Sequence, residues 1–181
     1  MRWLSTLSIL SLATLLHAGE PCKSGPAPGQ KFGPYSFLIA TGPNRGTSHC
    51  YVCETAAKPA VIVFAQKTSN NLGDLLLDLD ALVTKHKAAE FGAWVTFLSD
   101  DQPNLEPKIA DWGKKLGLKN VALGIFEDLD GPPSYRLDKN AEVTVLLVKG
   151  GKVTANYAFR AGELKAEQTK PILAAITLLV K

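Results

Sequence analysis

The apolar positions of this chain change period from segment to segment, and the changes mark its elements. Ala60-Val61-Ile62-Val63-Phe64-Ala65 is apolar throughout and rich in β-branched residues, the pattern of a strand buried on both faces of a largely parallel sheet. It is the predicted centre of the sheet. Leu72, Leu75, Leu76, Leu79, Leu82 and Val83 then recur at three- and four-residue steps, which predicts a helix with one apolar face, capped by Thr68, Ser69 or Asn70. Ala93 to Leu98 predicts a second strand. Asn104 to Leu116 predicts a second helix with Leu105, Ile109, Trp112 and Leu116 inward and Gly117 as its C-terminal stop. Val121 to Phe126 predicts a third strand. Val143 to Val148 and Lys152 to Phe159 predict a hairpin through Lys149-Gly150-Gly151, and Leu164 to Val180 a closing helix, which Pro171 allows to begin as late as Thr169. Upstream, Tyr35 to Ala40 reads as a short strand, residues 41–46 as a turn, and residues 47–58 as a loop.

The first residues follow another logic. Met1-Arg2 gives a positive start, Leu4 to Leu16 an uncharged Leu-rich run, and Leu16-His17-Ala18 a small-residue cleavage site, together the pattern of a secretory signal peptide over residues 1–18. The apolar run, roughly 13 residues, is short of the roughly 20 that span a bilayer. Export with cleavage near Ala18, to the periplasm or the medium, is therefore expected, without stable membrane insertion. Residues 19–31, rich in Gly, Pro, Ser and Lys, read as a flexible leader, and residues 32–181 as one domain. Removing residues 1–18 takes away only Arg2, so the formal net charge of +3 becomes +2, too small to suggest a nucleic-acid partner. Nothing in the pattern specifies an oligomeric state.

The order β-α-β-α-β, then a β-hairpin and a final helix, behind an N-terminal β extension, resembles the thioredoxin-like superfamily. The nearest branches are its exported thiol-disulfide oxidoreductases and peroxiredoxins. The resemblance covers roughly residues 32–180. It rests on the strand ending Val63-Phe64-Ala65, the strand end Phe97-Leu98-Ser99-Asp100, and the hairpin from Thr144 to Val153. It implies an α/β fold with a central mixed sheet flanked by helices. Two departures separate the chain from that family's chemistry. Val143 stands where the family has a cis-proline, and a cis bond at a non-proline costs roughly 3 kcal/mol, so none is expected. At the helix start where the family's reactive cysteine sits, this chain has Thr68, Ser69 and Asn70, which cannot cycle through disulfide chemistry.

The chain's own redox-type motif is Cys50-Tyr51-Val52-Cys53, which precedes the central strand instead of following it. A loop entering a strand lies opposite the C-terminal edge where open α/β sheets bind ligands. With three cysteines in the chain, one is left over, and Cys22 in the leader is the expected orphan. A Cys50–Cys53 bond closes a loop whose unfolded-state entropy is worth only about 2 kcal/mol, against about 3.5 kcal/mol for a Cys22–Cys50 link. As a zinc site the pair supplies two of four ligands, with only His49 and His86 left in the mature chain, so no metal site is assigned. A c-type haem is excluded, since Glu54 stands where a histidine must follow, and no other cofactor is expected. Two functions lead, with a metal-carrying protein as a third option. In one, Cys50 and Cys53 form a reversible redox pair that exchanges electrons with a thiol-containing protein partner. In the other, the fold is a non-catalytic binding or scaffold module and the disulfide a local clasp. The remaining polar and aromatic candidates have structural explanations. His49 reads as a surface histidine, His86 as a cation at a helix end, Asp100-Asp101 and Glu127-Asp128 as capping or loop acids, Trp94 and Trp112 as core, and Tyr135 as turn packing.

Overall fold

The structure is a computed structural model that describes residues 20–55 and 57–181. The expected signal peptide, residues 1–18, lies outside the described residues. The elements are β1 (Phe37–Ile39), β2 (Ser48–His49), α1 (Tyr51–Thr55), β3 (Ala60–Ala65), α2 (Asn70–Lys85), β4 (Gly92–Leu98), α3 (Gln102–Leu116), β5 (Ala122–Phe126), β6 (Val143–Lys149), β7 (Lys152–Phe159) and α4 (Ala166–Leu179). They build one seven-stranded mixed sheet in the order β2-β1-β5-β4-β3-β6-β7. Strands β3, β4 and β5 run parallel, while β6 pairs antiparallel with β3, and β1 antiparallel with β5.

Each strand's alternation divides the core in two. Val61, Val63 and Ala65 point to the face covered by α2, α3 and α4, where they meet Leu72, Leu75, Leu76, Leu79, Ile109, Ile172 and Ile176. Ala60, Ile62 and Phe64 point to the other face, covered by α1 through Tyr51 and by other segments through Tyr35, Phe32, Tyr135 and Leu137. Both crossovers step in one direction along the sheet, from β3 to β4 to β5, and both helices lie on one face. Ser69 caps α2, its Oγ accepting from Leu72 N at 3.2 Å. Gly117, in the left-handed region, ends α3 as expected, and α4 starts at Ala166 and runs through Pro171. The β6–β7 turn places both Gly150 and Gly151 at positive φ, the conformation a two-residue hairpin requires. No peptide bond is cis among the described residues.

Two segments differ from the sequence expectation. Residues 20–31, expected to be a flexible leader, are tied down along the β6–β7 edge. Gly29 N donates to Val153 O at 2.7 Å, Val153 N to Gln30 O at 2.9 Å, and Asn156 Nδ2 to the carbonyls of Ser24 and Pro26 at 2.8 and 2.9 Å. Ser24 is buried, and Thr144 Oγ1 lies 2.7 Å from its hydroxyl. The physical reason is the open edge of β7, whose backbone groups the leader satisfies. Residues 47–58, expected to be a loop, contain β2 and the single-turn helix α1.

A carboxylate fixes the entry to β5. Asp80 on α2 accepts from the backbone N–H of Lys119, Asn120 and Val121 at 2.9, 2.6 and 2.9 Å, and from Asn120 Nδ2 at 3.1 Å. Burial pulls the Asp80 carboxyl upward, but these hydrogen bonds together outweigh it and hold the group below its ordinary value. A depressed carboxylate stabilises the fold fully above its unfolded value of about 3.9, and the contribution is lost as pH falls through the lower folded value. Asp80→Asn is therefore expected to cost about 1–2 kcal/mol at neutral pH, discounted for partial solvation. Denaturant melts of both proteins should show the gap closing below about pH 4, and a gap independent of pH would contradict this account.

Candidate functional site

Cys50 and Cys53 are joined in a disulfide with a Cα–Cα separation of 5.3 Å, within the usual range. Cys22 is a free, half-buried thiol, the expected orphan. Burial pushes that thiol up against the opposing pull of Arg160, and Glu163 and Asp138 add to the rise, which disfavours the reactive thiolate.

Helix α1 carries the disulfide, and an aromatic side chain inside the motif anchors it. The Tyr51 ring stacks on Trp94 with centroids 5.7 Å apart and 23° between planes, and lies 5.8 Å from Phe37. Val52 packs into the same cluster. Beneath them Trp94 Nε1 donates to Tyr35 Oη at 2.9 Å, and Tyr35 Oη lies 2.8 Å from Thr96 Oγ1, so the buried polar groups under α1 are satisfied. Burial pushes the Tyr51 phenol up, with the Glu54 charge adding, and the phenol stays neutral. Half-burying a tyrosine is worth about 1–2 kcal/mol. That is comparable with the about 2 kcal/mol of the four-residue disulfide loop. The helix therefore has an attachment to the sheet that does not depend on the S–S bond.

The motif's polar neighbours are arranged around that anchor. Cys53 N donates to Cys50 Sγ at 3.2 Å, and Glu54 N to Cys50 O at 3.2 Å. Cys53 is exposed and Cys50 half-buried. His49, expected to be a plain surface histidine, instead has Nε2 2.7 Å from Glu54 Oε2 and its ring 4.5 Å from Tyr51. The reason is the turn of α1, which brings Glu54 back beside β2. Next to the helix runs a groove of about 340 Å³, lined by Tyr51, Glu54, Thr55, Lys58, Phe91 and Trp94 among others. Lys58 and Glu90 form an ion pair across it.

This places the motif at the N-terminal ends of β3 and β4, with Thr55 packed near Gly92. At the other end of β3, Thr68 and Asn70 are exposed and Ser69 is half-buried. The space among Phe64, Leu98, Leu137 and Thr144 is about 10 Å³, and Gln66 Nε2 is bonded to Lys139 O at 2.8 Å. That gap has no room for a reacting group.

The remaining candidates stay structural. Asp101 precedes α3 and holds Asn104 Nδ2 at 2.9 and 3.1 Å, while Asp128 accepts from Asp130 N at 2.8 Å. Trp94 is buried, Trp112 packs against Phe97 at 5.9 Å, and Tyr135 is buried with its hydroxyl donating to Gly33 O at 3.0 Å. His86 follows α2, its ring near Phe91. Among the described residues, no three His, Cys, Asp or Glu side chains converge as a metal site, and no helix is long and apolar enough to cross a membrane. Sequence reasoning missed Tyr51 as the anchor of α1 and Glu54 as the partner of His49. The available signal was an aromatic and a valine inside the motif, apolar positions that an exposed loop does not need.

No family model matches the chain, and no curated protein matches it. Solved structures do. A candidate protein disulfide isomerase from Bacteroides thetaiotaomicron superposes with a TM-score of 0.65 at 16% identity, covering 88% of this chain and 94% of that one. A candidate thiol:disulfide interchange protein DsbE from Chlorobium tepidum gives 0.57 at 16%, covering 85% and 98%. The bacterioferritin comigratory protein of Xanthomonas campestris, studied for alkyl peroxide reduction, gives 0.54 at 18%, covering 81% and 92%. With its central mixed sheet flanked by helices and this set of structural neighbours, the chain has the thioredoxin-like fold.

Proposed function

We propose that the protein is an exported thiol–disulfide exchange protein whose redox pair is Cys50 and Cys53, acting on thiols of a partner protein. The observation that carries this is the exposed Cys53 in a disulfide whose helix is separately anchored by Tyr51 on Trp94. Such a bond can open and close without releasing α1 from the sheet. The redox names of the structural neighbours support the reading, as does the signal-peptide pattern of residues 1–18 for export into an oxidising compartment.

The test is whether the purified mature protein accelerates reduction of a disulfide-bonded test protein by dithiothreitol. Acceleration above the rate without protein supports exchange; none, with the Cys50–Cys53 bond intact throughout, contradicts it. The second reading is a binding module with a structural clasp. It is favoured by the start of α2, where Thr68, Ser69 and Asn70 offer no cysteine. It requires no acceleration and a partner affinity unchanged when both cysteines are replaced by serine.

A further inference from the structure

The two sulfurs of the pair are not equivalent. Cys53 is exposed, whereas Cys50 is half-buried. Among the described residues, one backbone donor is aimed at the pair: Cys53 N, shared between Cys50 O at 3.1 Å and Cys50 Sγ at 3.2 Å. In the closed disulfide that contact is to a neutral sulfur. If the bond breaks toward Cys50, the same N–H faces a full negative charge and strengthens, which lowers the barrier to that direction of cleavage selectively. A low-energy leaving thiolate also departs faster.

We propose that, within the exchange function above on which this rests, the disulfide opens at Cys53, with Cys50 as the leaving sulfur. A partner thiolate attacks Cys53 Sγ. The bond from the partner sulfur to Cys53 Sγ forms as the Cys53–Cys50 bond breaks, and the electron pair leaves on Cys50 Sγ as thiolate, held by Cys53 N–H. A second thiolate of the same partner then attacks the partner sulfur of the mixed disulfide. The partner dithiol becomes a disulfide, and Cys53 leaves as a thiolate that takes a proton from water. Two electrons pass from the partner to the pair. The substrate class is a dithiol whose first sulfur is accessible enough to reach the exposed end of α1.

The experiment uses the oxidised full mature chain with glutathione as the probe. The reaction is quenched within seconds by acid and N-ethylmaleimide, and fragment ions cleaved between Tyr51 and Val52 assign each label. Glutathione on Cys53 with maleimide on Cys50 is expected to exceed the opposite isomer by roughly tenfold or more, the size of one charge-assisted hydrogen bond. Glutathione mainly on Cys50, or equal amounts on both, would overturn the assignment while leaving exchange itself standing. A disulfide that acquires no glutathione on either cysteine would overturn the exchange function and this assignment with it.

Discussion

Replacing Cys53 by serine is expected to reduce thiol-exchange activity to the rate measured without protein, and Cys50→Ser to do the same. Each removes one sulfur from a reaction that requires both, because a single thiol forms a mixed disulfide and has no internal partner to release it. Neither change is expected to unfold the protein. The disulfide is worth about 2 kcal/mol, and the stack of Tyr51 on Trp94 with Val52 beside it continues to hold α1. The variants should therefore keep the near-ultraviolet circular dichroism of the buried Trp94 and melt at a slightly lower temperature. The outcome that counts against the account is a variant that retains exchange, or one that loses activity only because it has unfolded. Cys22→Ser is the internal comparison. Its thiol is pushed up by burial and sits far along the chain from α1, and its loss should leave exchange unchanged.

Gly124→Ala is expected to have the largest effect on stability, roughly 3 kcal/mol, and to act on the site from a distance. Gly124 in β5 pairs with Ile39 of β1, and a Cβ there would overlap the Leu38 carbonyl oxygen and the Phe37 ring. The ring can turn aside. The carbonyl belongs to the β1–β5 ladder and cannot move without breaking it. Since β1 leads through β2 into α1, loosening it also frees the segment that presents the disulfide. A melting temperature lower by roughly 6–12 °C is expected, together with faster amide exchange over residues 37–55. Gly92→Ala is the control. Its Cβ would meet Thr55 Cγ2 at 3.4 Å, an ordinary contact, and it has no positive φ, so its cost should stay below about 1 kcal/mol. Equal losses for the two variants would contradict this explanation.

The β-α-β-α-β order and the closing hairpin and helix were legible because each element carries its period in consecutive residues. The uniform run Ala60–Ala65 and the leucine stripe of α2 are the clearest cases. The spacing of Cys50 and Cys53 allowed a disulfide among other states, and the structure joins them. What escaped was held by contacts between residues distant in sequence. The Gly- and Pro-rich composition of residues 20–31 says nothing of Ser24 meeting Thr144, or of Asn156 gripping two leader carbonyls. Helix α1 has five residues, too few to show a period, and its position depends on Tyr51 finding Trp94. His49 reads as a surface residue in the sequence because its actual partner, Glu54, arrives only once α1 has turned.

The most direct test of the central claim is the reduction potential of the Cys50–Cys53 pair. The purified mature protein is equilibrated in a series of thiol buffers, and its alkylated cysteines are counted by mass spectrometry. The account predicts a potential above roughly −250 mV, the range of disulfides that exchange with other thiols. A potential below roughly −300 mV would mark a structural bond and contradict it, leaving the binding module as the function of this fold.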